Sequence, residues 1–413
     1  MTFRELKLDN GLQIVGETSP SARSVALGFF VKTGSRDETS EACGVSHFLE
    51  HMVFKGTPKR TAMDVNLAFD RIGANYNAFT SEENTVFYAA ILPEYLPIAV
   101  DLLADILRPS LREDDFNTEK EVIIEEIGMY DDQPVWSTYD RAKQIYFASH
   151  PLGNSILGTE ESIRALTPET MRAYFERRYV PSNITVAVAG AFDWDEFVSL
   201  IQQHCGHWEV GEAPREGISE TLGSGEFQLL PKETITQEHC MLMSAGPSVD
   251  SPLIYASNIL GVIFGDDSGS RLYWAVVDPG HADSADASFH EYIGTGVYYT
   301  MFSCDPGKAQ HNLELIQGLL HQLQQEGVTE QELKTAKTKV MARLVRGSER
   351  PMGRMQAIGS MWNDLDVYRT VDEELDRFNA VTLDSIREVL DKYPIDRTTI
   401  VAHGPLTELN KPE

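Results

Sequence analysis

Cysteine is scarce in this chain. Four occur in 413 residues, Cys43, Cys205, Cys240 and Cys304, and no two form a C-x-x-C pair. That argues against a disulfide framework and a cysteine zinc site, and fits reduced thiols in a cytoplasm. Long apolar runs are also missing: none approaches the eighteen or so residues of a membrane span. The opening MTFRELKLDNGLQIV lacks the continuous apolar core of a signal peptide, so a cytoplasmic location is expected. Basic residues are few, with 35 Lys and Arg against 63 Asp and Glu and a net charge of −28. Such a surface repels nucleic-acid phosphates and anionic membranes. It is compatible with cationic peptide substrates, or with nothing more than solubility. The 42% hydrophobic and 24% charged content are ordinary for a globular protein with a sizeable core.

The length predicts two domains. LKLDNGLQIVGE alternates around Asn10-Gly11 and predicts a hairpin with a two-residue turn. A β-rich run over residues 24–35 comes next, followed by a helix with Ser46 near its start and Lys55-Gly56 near its end. Further helices are expected over 61–72, 96–107, 114–130, from about 168, and over 194–204, with strands over 75–92 and 184–188. The segment HWEVGEAPREGISETLGSGE is rich in Glu and Gly and has no sustained apolar period, as in a linker. Beyond it the order recurs: strand (240–245), helices (252–264 and 270–277), strands (287–293 and 297–304), two long helices (308–326 and 330–346), then helix (385–392) and strand (398–402). This suggests an internal duplication. The expected division is 1–208, a linker over 209–225, and a similar second half over 226–413.

His47-Phe48-Leu49-Glu50-His51 is the most informative stretch. It reads H-x-x-E-H, the inverse of the H-E-x-x-H zinc-peptidase signature. On a helix, residues i and i+4 share a face, so His47 and His51 can present two imidazoles to one metal. Glu50 lies beside that face without being needed as a ligand, which suits a general base acting on a metal-activated water. The bland alternative is an amphipathic helix with two surface histidines. A catalytic zinc needs a third protein ligand and an open position. Glu119-Lys-Glu121-Val-Ile-Ile-Glu125-Glu126 is the obvious source. Glu119 and Glu126 share a helix face and could act as outer carboxylate and ligand, but Glu121 and Glu125 pair by the same logic. Periodicity leaves the choice open.

GVSHFLEHMVFKGTPKR, GANYNAFTSEENTVFYA, EKEVIIEEIGMYDDQP, YVPSNITVAVAG and GSRLYWAVV together resemble, over nearly the whole length, the pitrilysin and mitochondrial-processing-peptidase family of zinc metallopeptidases. The resemblance implies an α+β fold of two homologous α/β-sandwich halves, each a mixed sheet packed with helices, closing on a chamber. It implies Zn²⁺ held by His47, His51 and Glu126, with Glu119 behind them and Glu50 as general base. It also implies peptide substrates that add as a β-strand along Asn77-Ala78-Phe79-Thr80, where backbone hydrogen bonds give sequence-tolerant affinity. Phe79 fits a core position equally well.

Arg271 matches the family arginine that reaches toward the substrate, where a guanidinium can stabilise a carbonyl oxygen or oxyanion. The chain departs from the pattern just afterwards. Where the family has Gly-Leu-Ala-Tyr, this sequence has Gly280-His281-Ala282-Asp283. Tyr292 and Tyr298 are candidate replacements, and a partner chain is another, since in some family pairs these elements lie on different subunits. The expectation is a zinc endopeptidase that pairs with itself or with a homologous subunit. The alternative is a weakly active or inactive assembly subunit that needs such a partner.

Overall fold

Residues 1–412 are described by a computed structural model, in which the first hairpin has a wider turn than its Asn-Gly signal predicts. β1 (Thr2–Lys7) and β2 (Gln13–Thr18) pair antiparallel with Lys7 opposite Gln13. The Leu8 N–H bonds the Leu12 carbonyl, and Gly11, at φ +96°, bonds back to Leu8. Asn10 is drawn away from a tight turn because its side chain accepts from the Leu12 N–H and donates to the Cys205 carbonyl.

Next come β3 (Val25–Val31), α1 (Val45–Val53), α2 (Ala62–Arg71), β4 (Asn75–Thr80), β5 (Thr85–Ile91), α3 (Leu96–Ile106), α4 (Glu113–Asp131) and α5 (Pro134–Phe147). They are followed by α6 (Glu160–Ala165), α7 (Pro168–Arg178), β6 (Ile184–Gly190) and α8 (Trp194–Cys205). After a long irregular stretch come β7 (Phe227–Pro231), β8 (Glu238–Gly246), α9 (Ile254–Gly265), a π-helical turn over Tyr273–Val277, β9 (Ser284–Tyr292) and β10 (Thr295–Cys304). The chain ends with α10 (Ala309–Glu326), α11 (Glu330–Ser348), α12 (Pro351–Leu365), α13 (Val371–Ala380), α14 (Leu383–Lys392) and β11 (Thr399–Gly404).

These elements form two compact α+β units that are not continuous stretches of chain. The first holds Met1–Ile127, Asn154–Glu216 and Val345–Arg369. The second holds Gly128–Gly153, Gly217–Leu344 and the chain from Thr370 onward. The first unit's sheet runs β1-β2-β6-β3-β5-β4, with β2–β6 the parallel pair. β3 and β6 lie inside it, buried on both faces, so VALGFFV and ITVAVAG read as continuous apolar runs rather than alternating ones. One face carries the main core with α1, α3 and α8. The other is covered by α12, whose Met355 and Ile358 pack on Val15, Ala26, Phe30 and Val86. β4 is an edge strand.

In the second unit the order is β7-β11-β8-β10-β9. α5 covers one face with Ala142, Tyr146 and Phe147 against Met241, Met243 and Val401. The opposite face carries α9, α10 and α14. Sequence patterning does not predict α5, α12 or α13. Pro134 and Pro351 look like terminators after the long helices before them, yet each opens a new helix, where its missing N–H costs nothing. No helix among the described residues is long and apolar enough to cross a membrane.

Candidate metal centre

α1 begins in an unusual way. Its N-cap is Gly44 at φ +87°, where a Cβ would meet the Leu157 carbonyl at 2.6 Å. Glycine supplies no capping side chain, so the fully buried carboxyl of Glu38 does the work, accepting the Gly44 and Ser46 N–H groups at 2.7 Å each. Burial pushes Glu38 up to about 8. Ser46, which by sequence lies near the helix start, is inside the helix and bonds the Tyr174 hydroxyl at 2.7 Å. Phe48, Leu49, Met52 and Val53 enter the core, which leaves His47, Glu50 and His51 at the margin.

α4 approaches that margin. One ligand atom from each of His47, His51 and Glu126 lies within 4.8 Å of the others. The Nε2 atoms of His47 and His51 are 3.8 Å and 3.5 Å from Glu126 Oε2. Glu121 and Glu125, the pair that periodicity alone could not set aside, are exposed. Glu119 is buried, and its Oε1 takes the Nδ1 hydrogen of His51 at 2.9 Å while Lys55 Nζ pairs with Oε2 at 2.5 Å. That bond places the His51 proton on Nδ1 and leaves Nε2 with its lone pair.

Burial, and then the neighbouring His51, lower His47 to about 3, so its imidazole is neutral. Burial also opposes a charge on His51, but the Glu119 bond and the Glu126, Glu119 and Glu50 charges outweigh it and raise the pKa. Glu126 is raised by burial. His47 Nδ1 is buried with no hydrogen-bond partner. Two imidazole nitrogens and one carboxylate oxygen converging in this way fit a zinc ion with an open fourth position.

Glu50 is half-buried and its pKa is raised by burial, against the effect of a 2.6 Å hydrogen bond from Thr80 Oγ1 to its Oε2. Thr80 ends β4. Asn75, Asn77 and Phe79 of this strand are exposed, whereas Ala78 is buried on the α1 side. Phe79, 40% exposed, is not a core residue. In an antiparallel ladder, directly hydrogen-bonded pairs alternate with pairs whose backbone groups point outward. The Ser81 N–H to Asn84 carbonyl bond and the Lys32 N–H to Asn183 carbonyl bond fix the phase across β4, β5, β3 and β6. The backbone N–H and C=O groups of Tyr76, Ala78 and Thr80 therefore face the open edge.

Arg271 is not in this group. It belongs to the second unit, where its Nε and Nη2 are held by Glu332 at 2.7 Å and 3.1 Å, and Nη2 also meets the Gly327 carbonyl at 2.8 Å. Asp283 accepts from Gln237 Nε2 at 2.6 Å. The Tyr298 hydroxyl is spent on the Ser257 carbonyl, and the Tyr292 hydroxyl pairs with that of Tyr299. Sequence reasoning missed the parts played by Glu38, Lys55 and the Thr80 hydroxyl. Lys55 alone carried a signal, four residues after His51, although it lies in the turn beyond the end of α1.

Comparison with known proteins gives two family models in tandem. Residues 13–160 match the insulinase model of peptidase family M16, and residues 165–340 match the model of the M16 inactive domain. The chain is 35% identical to an uncharacterised zinc protease of Bacillus subtilis over 91% of its own length and 92% of that protein's. It is 32% identical to an uncharacterised zinc protease of Mycobacterium leprae over 96% of its length and 91% of that protein's. In fold it is similar to a Helicobacter pylori protease, with a TM-score of 0.90 at 21% identity over 97% of this chain and 99% of that one. A Pseudomonas fluorescens structure described as a peptidase M16 inactive domain gives a TM-score of 0.89 at 18% identity over the full length of both.

Proposed function

This chain belongs to peptidase family M16, the insulinase family, and we propose that it works as a zinc-dependent endopeptidase on peptides or unfolded polypeptide segments. One juxtaposition carries the reading: the raised carboxyl of Glu50 borders a His47–His51–Glu126 donor set and is bonded to the last residue of an open edge strand. Zinc held by the three ligands would supply Lewis-acid chemistry, acidifying a water and polarising the scissile carbonyl. Glu50 Oε1, the oxygen not engaged by Thr80, takes the proton of the attacking water and returns it to the leaving amine. Glu119 orients His51 and, with Lys55 beside it, stays ionised.

The substrate adds to β4 as a further strand. The outward-facing backbone groups of Tyr76, Ala78 and Thr80 bind it, and Asn77 and Phe79 meet alternate side chains. Arg271 is the candidate second stabiliser of the oxyanion, once released from Glu332. The test is Glu50→Gln, with the expected outcome of retained zinc and lost chelator-sensitive peptide cleavage. Cleavage at the wild-type rate would remove Glu50 from the role.

A second reading is favoured by Asp283 at the family's tyrosine position and by the engagement of Arg271 with Glu332. The chain then pairs with a second copy or a homologous subunit that completes the site. Isolated zinc-loaded protein would be silent on peptides, and a co-purified homologue would restore cleavage.

A further inference from the structure

We infer that Thr80 is a positioning residue that fixes the orientation of the Glu50 carboxylate and makes it depend on the strand edge that takes the substrate. The inference rests on the peptidase reading above. Thr80 meets both sides of the reaction with different atoms. Its side chain faces α1, where the hydroxyl donates its one proton to Glu50 Oε2 at 2.6 Å. A hydrogen bond to an ionised carboxylate is short and directional, so it selects one rotamer of a side chain that otherwise turns freely about its last torsion. Oε1 is left to face the reacting water. The backbone N–H and C=O of the same residue point at the open edge, by the alternation set out above. A peptide strand that pairs with β4 therefore grips the residue that holds the base.

The position is also anchored. Beyond Thr80, the Ser81 carbonyl accepts from the Ser35 N–H at 3.3 Å and the Glu82 carbonyl accepts from the Arg36 N–H at 2.9 Å. The turn after Thr80 is thus tied to the segment that leads into Glu38 and α1. A residue that only filled space here would not need a hydroxyl, since valine has the same branched shape and suits a strand as well.

The test compares wild type, Thr80→Val and Thr80→Ser as full-length, zinc-loaded proteins on one quenched peptide. Thr80→Val removes the donor and keeps the shape and the backbone. Its kcat is expected to fall roughly tenfold to a hundredfold, the effect of losing a hydrogen bond to a charged group, while KM stays within about twofold. Thr80→Ser keeps the donor and is expected to stay within about threefold of wild type. Zinc content is unchanged in both. Crystals of the zinc-loaded variants give a readout independent of turnover: Glu50 leaves its wild-type rotamer in Thr80→Val and keeps it in Thr80→Ser. Wild-type kcat in Thr80→Val, a loss carried by KM alone, or an unmoved Glu50 overturns the inference. If the wild-type chain cuts no peptide, the peptidase reading fails, and the rotamer of Glu50 still decides the part played by Thr80.

Discussion

Glu119 joins His51 of α1 and Lys55 of the turn that follows the helix: His51 Nδ1 is 2.9 Å from its Oε1 and Lys55 Nζ is 2.5 Å from its Oε2. Burial alone would raise this carboxyl, yet the bonds to His51 and Lys55 hold it below the usual carboxylate range. A carboxylate in this position orients the imidazole and increases its basicity toward a metal. Glu119→Gln is expected to weaken zinc binding about tenfold to a hundredfold, and Lys55→Met to weaken it less. Competition against a chromogenic chelator measures both. Equal affinity in Glu119→Gln and wild type would show that His51 needs no such support.

Glu125 and Glu126 are neighbours with opposite surroundings. Glu125 is exposed, while Glu126 Oε2 lies near both imidazoles. Glu126→Gln should abolish tight zinc binding, whereas Glu125→Gln should leave stoichiometry and affinity unchanged. The reverse pattern would place the ligand on the other residue.

The carboxyl of Glu38 bears on pH dependence. It titrates near 4.5 when unfolded and, through burial, at about 8 in the folded chain. Because its pKa is raised on folding, the stability it contributes is full below about 4.5 and is lost as pH rises through about 8. The melting temperature should therefore fall as pH rises from about 4.5 to about 8 and level off above that, and the fall should be much smaller in Glu38→Gln, which cannot ionise. A wild-type profile flat across that window would show that Glu38 is already a carboxylate.

Arg354 of α12 forms a forked pair with Glu17 of β2, at 2.7–2.9 Å, and both side chains are almost fully buried. Removing one partner leaves an uncompensated buried charge, at a cost of about 3–5 kcal/mol. Arg354→Met should lower stability by that order in denaturant melts, and the double variant Arg354→Met/Glu17→Gln should recover much of it. Additive losses in the double variant would show that the two do not act as a pair.

What was legible in the sequence follows from where each signal lies. The i, i+4 spacing of His47 and His51 places both imidazoles on one face before any coordinates exist. The choice of Glu126 over Glu125 came from resemblance alone, because helical periodicity treats both residues alike and only the seating of α4 separates them. Strand-rich runs such as Val25–Val31 were visible because burial on both faces makes them continuously apolar. The membership of α5 and α12 in the two units was not visible: local patterning shows that a helix has a buried face but not which sheet buries it. Thr80 on Glu50 is a contact between residues thirty positions apart, and neither residue type announces it.

We propose above that this chain hydrolyses peptide bonds with zinc at His47, His51 and Glu126. The most direct measurement of this activity is cleavage of a quenched peptide library by the isolated protein, with metal content determined alongside, before and after chelation and again after zinc is restored. The expected result is one zinc per chain, cleavage lost on chelation and cleavage regained with zinc. Cleavage that persists in the metal-free protein, or a zinc-loaded protein that cuts nothing with or without a homologous partner, would contradict it.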